Sequence, residues 1–421
     1  MPRRRVLFIA HGHPADRAGG AERYAVQLHR ALREHPHWES ILLARSGPPH
    51  STIARPVDGG RIRPLNDSPD ELLLFTEGYE YDWLNGTMRH DKSLYTRHLR
   101  ALLTEVQPDV VHFQHTLFIG YDAIRAVRRL LPSARIVVTL HEFLPICHQR
   151  GQMVRAADGS LCDHDSPERC AECFPDIAPE RFTLRKRFIQ AQLALADLFV
   201  APSRLVRDRF VEWGLPPDRV LLEDYGHPAM TTPPVVRPSP HTVFGFFGQL
   251  TPFKGIDVLL RAMALATRDG PVKRTPVLHV HGANLDLQER VFRDATAIAL
   301  QAPGVISHGA YAPSEVGDLM DRVDWVVVPS SWWENSPLVI AEAFARRRPV
   351  ICSDLGGMAE KVDHEADGLR FQAGDPEALA RTLRRAVSED GLWERLHVGI
   401  RSPHTMDAHI QTLTAAYERL L

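Results

Sequence analysis

Two glutamates separated by seven residues, Glu334 and Glu342, flank a Ser336-Pro337 pair in the stretch from Ser330 to Glu342. Ser336 is a good N-cap and Pro337 suits a first helical position, so Glu334 is predicted on a loop at a sheet edge and Glu342 two turns into the next helix. One carboxylate can accept hydrogen bonds from the hydroxyls of a sugar while the other reaches those of a ribose. Lys254 lies in Phe246 to Gly255, a glycine-bounded turn after an apolar run, where an ammonium can neutralise a phosphate as negative charge builds on it. Gly19-Gly20-Ala21-Glu22 opens a predicted helix, and glycines there let backbone amides approach a phosphate at the helix's positive end. Gly356-Gly357 repeats the device, and His141 closes another apolar run. Each has a plainer alternative: turn geometry for the glycines, a solvated surface lysine, a polar core histidine and exposed helix glutamates.

Four of the five cysteines cluster: Cys147, Cys162, Cys170 and Cys173, with fourteen, seven and two residues between them. The closing Cys-x-x-Cys is zinc-knuckle spacing, and four thiolates suit a closed structural zinc site better than a catalytic one. His148 and His164 could substitute as ligands; an iron–sulfur cluster and unliganded or redox-paired thiols are the alternatives. Cys352 reads as packing on a buried strand.

The elements that must position these groups alternate from end to end. Short apolar runs and amphipathic stretches follow one another as in parallel sheets covered by helices, an α/β architecture of two Rossmann-like units. The first half has candidate strands at Val6 to Ala10, Ile41 to Ala44, Asp109 to Gln114, Arg135 to His141, Leu198 to Pro202 and Val220 to Asp224. The second half has Val243 to Phe247, Val277 to His281, Val305 to His308, Trp325 to Pro329, Val350 to Ser353 and Leu369 to Phe371. Between the halves, five prolines in Pro228 to Pro240 mark a linker. The expected division is 1–227 as the first Rossmann-like domain, 228–240 as linker, 241–400 as the second, and 401–421 as a helix packing back on the first. Ligands of such sheets bind beyond the carboxyl ends of the strands, so facing edges would define a cleft. Two stretches break the alternation: an acidic and aromatic one at 66–92, containing Asp67, Asp70, Glu71, Tyr79, Tyr81 and Trp83, and the cysteine-rich one at 147–175.

A length of 421 residues fits two domains, and a net charge of −2 gives no pull toward nucleic acid. The apolar run after Met1-Pro2-Arg3-Arg4-Arg5 stops at His11, too short for a signal peptide, so the expected compartment is the cytoplasm. Arg181, Arg185, Lys186 and Arg187 beside Phe182, Leu184 and Phe188 could meet anionic lipid or a lipid pyrophosphate, a peripheral membrane contact at most. A solvated helix face is the alternative. Nothing in the sequence sets an oligomeric state.

Together these motifs resemble the large retaining glycosyltransferase family of GT-B fold that includes sucrose synthase and many bacterial cell-surface sugar transferases. The resemblance covers nearly the whole chain and is strongest at the Glu334/Glu342 pair. It implies a nucleoside-diphosphate sugar donor held by 241–400, a glycan, lipid-linked saccharide or small-molecule hydroxyl acceptor taken by 1–227, and catalysis without a metal. It further implies that His141 touches the transferred sugar, Lys254 holds the diphosphate, Glu334 binds the sugar hydroxyls and Glu342 the ribose. Gly19 and Gly20 would approach the diphosphate, with Gly248, Gln249, Ser336, Leu338 and Val339 completing the donor site. The family usually has arginine where this chain has Gln249, and often glycine where Pro337 stands. Other classes are a sugar-nucleotide epimerase of the same architecture, a nicotinamide-dependent oxidoreductase, for which a Gly-x-Gly-x-x-Gly turn is missing, and a two-lobed binding protein.

Overall fold

The computed structural model describes residues 3–16, 19–49, 51, 61–66, 68–88, 94–230, 232–268 and 274–421. Asp67, Thr231, residues 89–92 and the Met1-Pro2 end lie outside the described residues. The chain forms two compact units, Met1–Pro228 with Thr405–Leu421, and Ala229–His404.

In the first unit the strands are β1 (Arg4–Ala10), β2 (Trp38–Ser46), β3 (Ile62–Leu65), β4 (Ser68–Phe75), a small hairpin of β5 (Tyr81–Asp82) and β6 (Thr87–Met88), then β7 (Val110–Phe113), β8 (Arg135–Thr139), β9 (Leu198–Ala201) and β10 (Val220–Leu222). Eight of them make one sheet in the order β10-β9-β8-β7-β1-β2-β4-β3. Only the β3/β4 pairing is antiparallel. Val6, Leu7, Phe8 and Ile9 are all fully buried, as an uninterrupted apolar strand must be when both faces of its sheet are covered. The helix Gly20–Arg33 buries Tyr24, Ala25, Leu28 and Leu32. The helix Met406–Leu420 belongs to this unit and completes its core: Tyr417 is fully buried and its hydroxyl lies 2.6 Å from His112 Nδ1.

The stretch at 66–92 is not wholly an insertion. Ser68–Phe75 is a core strand parallel to β2, with Leu73, Leu74 and Phe75 buried. Its acidic residues obscured the pattern because their charges are answered by the neighbouring helix: Arg30 Nε is 2.9 Å from Glu71 and Arg33 Nη1 is 3.1 Å from Asp70.

The second unit has six strands, β11 (Val243–Phe247), β12 (Val277–His281), β13 (Val305–Gly309), β14 (Trp325–Val328), β15 (Val350–Ser353) and β16 (Gly368–Phe371). They are all parallel, in the order β13-β12-β11-β14-β15-β16. This is the doubly wound order, and the winding reverses between β11 and β14. The proline-rich segment from Ala229 belongs to this unit and is held by two buried arginines from the turn after the helix Leu338–Ala345. Arg346 Nη1 donates to the Thr232 carbonyl at 2.8 Å, and Arg348 donates to the carbonyls of Val235 and Met320. Prolines leave neighbouring carbonyls without a ladder, and the guanidinium groups supply the missing donors. Arg348→Ala is therefore expected to cost this unit about 3 kcal/mol, the order found when a buried charged donor is removed from its acceptors. A urea denaturation midpoint equal to the unsubstituted chain's would disprove the anchoring role.

Candidate functional site

Because β11 and β14 are neighbours at the reversal of winding, the turns leaving their carboxyl ends run side by side. The turn after β11 carries Lys254 in a short 3-10 helix, Pro252–Lys254, capped by Thr251 and closed by Gly255 at φ +68°. A Cβ on Gly255 would stand 1.9 Å from the Pro329 carbonyl oxygen, so only glycine allows this approach. Ser331 then ties the two turns together, its amide donating to the Phe253 carbonyl at 2.9 Å and its hydroxyl to the Pro252 carbonyl at 3.1 Å.

The consequence is a close pair, Lys254 Nζ to Glu334 Oε1 at 2.5 Å. The same oxygen accepts from Ser330 Oγ at 2.8 Å and from the Trp332 indole at 2.9 Å. Glu334 is only 7% exposed, whereas the Lys254 side chain is 32% exposed. Burial pushes the Glu334 carboxyl upward, but the Lys254 ammonium and the other two donors, Ser330 and Trp332, outweigh it and hold the group below its ordinary value. The Lys254 ammonium also lies 5.6 Å from the centre of the Trp332 ring. Ser330 and Trp332 were not picked out from sequence, although both lie in the stretch that drew attention to Glu334.

The donor-site helix starts one residue later than the sequence reading placed it. The helix is Leu338–Ala345 with Pro337, not Ser336, at its N-cap, and no side chain caps it. Ser336 is buried one residue earlier. The Gly248 amide is already used by the His281 carbonyl at 3.0 Å, and Gln249 is exposed. Glu342 is buried within the helix that starts at Leu338 and Val339. Behind the Glu334 loop, the Gly357 amide donates to the Glu334 carbonyl at 2.8 Å, and a Cβ on Gly357 would meet the Asn335 carbonyl oxygen at 1.9 Å.

In the first unit the corresponding sheet edge is rich in histidine. His141 is buried with both ring nitrogens engaged: the Tyr225 hydroxyl is 2.6 Å from Nδ1, and Nε2 is 2.9 Å from the Gln114 side-chain oxygen. That oxygen only accepts, so Nε2 carries the proton and Nδ1 takes the Tyr225 hydrogen. Burial holds His141 neutral by pushing its pKa far down. It lines a cavity of about 30 Å³ with His115 and Glu142, room for a water but not for a sugar ring. Gly19 precedes the helix Gly20–Arg33, and its missing Cβ makes room for the Glu22 carboxylate, whose Oε2 would otherwise be 2.2 Å away.

A chain of four groups here escaped the sequence reading. Glu22 Oε1 is 3.1 Å from His11 Nε2, the His11 and His115 rings lie 4.1 Å apart, and His115 Nε2 is 3.3 Å from Glu142 Oε1. Residues 11, 22, 115 and 142 meet only because β1, β7 and β8 are adjacent, which spacing along the chain does not reveal. Burial opposes the Glu22 charge, but His11 and a backbone amide hold its pKa down to about 2. The unfolded chain, with an ordinary value near 4.5, binds the extra proton between those limits. The contribution is thus complete above pH 4.5 and disappears as pH falls toward 2, amounting to about 3 kcal/mol. Glu22→Gln is expected to flatten the pH dependence of stability in that window; an equally steep acid loss in the variant would refute the assignment.

The four cysteines do not assemble as the knuckle spacing suggested. Among the described residues, no three of the thiol sulfurs lie within 4.8 Å of one another. The Cys162 thiol donates to the His164 carbonyl at 3.1 Å, Cys173 Sγ accepts from the Ala156 amide at 3.5 Å, and burial pushes the Cys170 thiol up to about 11. Cys147, Cys162 and Cys170 nonetheless stand near enough for Cys162 to raise the Cys147 thiol and for both to raise that of Cys170. Chain spacing limits how far apart ligands can be without bringing them together. The segment is ordered instead by Arg185, which donates to the Leu144 and Pro145 carbonyls at 2.5 and 2.6 Å, and by Lys186, 3.0 Å from Asp165. Two of the four cations that could have met lipid are therefore engaged within the unit. Among the described residues, no helix is long and apolar enough to cross a membrane.

Two family models divide the chain between them. The one for Glycosyltransferase Family 4 matches residues 18–222, and the one for Glycosyl transferases group 1 matches residues 241–389. The chain belongs to the family 4-like glycosyltransferases. Relatives include the D-inositol 3-phosphate glycosyltransferase of Jonesia denitrificans, 26% identical over 96% of this chain and 91% of the relative. That of Nocardioides sp. is 25% identical over 94% and 85%. Among solved structures, the sucrose-phosphate synthase of Thermosynechococcus elongatus superposes with a TM-score of 0.71 at 18% identity, covering 99% of both chains. Anabaena HepE, in complex with UDP and glucose, gives a TM-score of 0.66 at 16% identity, covering 99% of this chain and all of that one. The glycosyltransferase thus has the GT-B fold, with two doubly wound parallel sheets.

Proposed function

We propose that this glycosyltransferase moves a sugar from a nucleoside-diphosphate donor to a hydroxyl of a glycan, a lipid-linked saccharide or a small polyol, with retention at the anomeric carbon. The observation that carries the reading is the Lys254–Glu334 pair at the reversal of winding, beside a helix start that no side chain caps. On this reading Lys254 and the first-turn amides of Leu338 and Val339 take the diphosphate, where charge grows as the bond to the sugar breaks. Lys254 then exchanges part of its bond to Glu334 for the phosphate, freeing the carboxylate to accept from the sugar hydroxyls. Glu342 takes the ribose. The acceptor hydroxyl attacks from the face the leaving group vacates, and the departing phosphate removes its proton, so neither a protein nucleophile nor a metal ion is required.

Anabaena HepE has been crystallised with UDP-glucose, and the curated relatives are named for transfer to inositol 3-phosphate; both support a donor of this class and a polyol among the acceptors. The test is a thermal-shift screen of nucleoside diphosphates and their sugars, followed by turnover and the anomeric configuration of the product by NMR. Stabilisation by one diphosphate and its sugar is expected, with tightness reflected in the shift. Product of inverted configuration would overturn the retaining mechanism, and donor turnover without an acceptor would favour the epimerase.

A further inference from the structure

We propose that His279, His281 and His308 form a metal site for a zinc-like divalent ion at the edge of the second sheet. This inference is independent of the sugar-transfer reading. Alternation along β12 puts His279 and His281 on one face of the strand. In β13 the register slips: Val280 pairs with Ser307 but His281 pairs with Gly309, leaving His308 as the extra residue. Such a bulge re-aims a side chain, and here it turns His308 toward the other two.

The resulting cluster brings three ring nitrogens within reach of one ion. His308 Nε2 lies 3.2 Å from His279 Nδ1, and one ring nitrogen of each histidine falls within 4.8 Å of the others. A tetrahedral ion with bonds of about 2.0–2.1 Å spaces its ligands about 3.3 Å apart, so the His279/His308 separation already matches. The His281 ring is stacked between Phe247, 4.9 Å away and 4° from parallel, and His308, 4.3 Å away and 5° from parallel; because an imidazole ligates in its own plane, the exposed His308 ring turns out of this stack when it shares an ion with His281.

A second observation points to a ligand. His281 is 3% exposed, and its Nε2 is buried with no hydrogen-bond partner among the described residues. A buried nitrogen left unpaired is costly, and a bound ion would satisfy it. Three imidazoles without a thiolate or carboxylate favour zinc, copper or nickel over calcium or magnesium, and three protein ligands leave a position open for water. The site also touches the donor-side turn, since the His281 carbonyl accepts from the Gly248 amide. An ion there would fix the end of β12 from which that contact is made.

The experiment uses the full chain, reduced, stripped by chelator and titrated with zinc sulfate in equilibrium dialysis, with melting temperature recorded in parallel. About one zinc per chain and a raised melting temperature are expected. His308→Ala and His279→Ala should each weaken binding at least about tenfold and remove the thermal shift. Both residues are partly exposed on or beside an edge strand, so the fold should survive, and circular dichroism verifies it. Cys170→Ser with Cys173→Ser should bind zinc as the unsubstituted chain does. Failure of the unsubstituted chain to bind zinc, undiminished binding by His308→Ala, or loss of binding in the cysteine variant would each overturn the proposal.

Discussion

Lys254→Ala is expected to lower kcat/KM for transfer by roughly 10²–10³, the loss typical of removing one preorganised group that meets developing charge. The ammonium is partly exposed and faces the turn where the diphosphate is proposed to lie, so its loss should fall mainly on the reaction. Stability should suffer less. Ser330 and Trp332 still donate to Glu334, and the exposure of Lys254 weakens the pair's contribution to folding. The variant also removes the chief attraction that lowers the Glu334 pKa, leaving burial to push it upward. Activity should therefore rise with pH over a range where the unsubstituted enzyme is flat. Steady-state kinetics against pH measures both effects, and turnover within threefold of the unsubstituted enzyme would remove Lys254 from the mechanism.

Gly255→Ala should do comparable damage without touching a charged group. The position combines φ +68° with 1.9 Å between a built Cβ and the Pro329 carbonyl oxygen, so the added methyl cannot be absorbed by a flexible side chain. One backbone segment must move, and both lead to the pair. We expect about 2–4 kcal/mol of lost stability from strain and overpacking. An activity loss of about 10² or more should accompany it, because displacing a reacting group by roughly 1 Å has that effect. Urea denaturation and kcat/KM together test this. Near-normal activity in a folded variant would mean the close approach of the two turns is not needed for transfer.

The paired turns also show what the sequence made legible. Apolar runs located β11, β12 and β15 residue for residue, because buried parallel strands are continuous and their ends are marked by turn residues. The reading ran on past the ends of other strands, into His141, Pro202, Asp224 and Pro329, because side chains beyond the last ladder bond can still be apolar or buried. Strand β4 was lost among acidic residues whose partners come from a helix some forty positions earlier. Glu334 and Lys254 were recognisable as chemistry, yet their 2.5 Å contact depends on strand order, as does the chain from Glu22 through His11 and His115 to Glu142. The helix start was misplaced by one residue because Ser-Pro satisfies a capping rule that the backbone at Pro337 does not follow. The histidines of β12 and β13 gave no signal, since their convergence requires a slip in register.

The position of Met406–Leu420 bears on how this protein is made. Its buried face belongs to a core whose first strand begins at Arg4, while the whole of Ala229–His404 intervenes. On the ribosome, the second unit therefore emerges entire while the first still waits for a missing wall, with the sites of Tyr24, Trp38 and His112 uncovered. During that interval the nascent chain presents a sticky, half-finished domain, a natural substrate for chaperones. Shortening the chain by its last helix would make that transient exposure permanent.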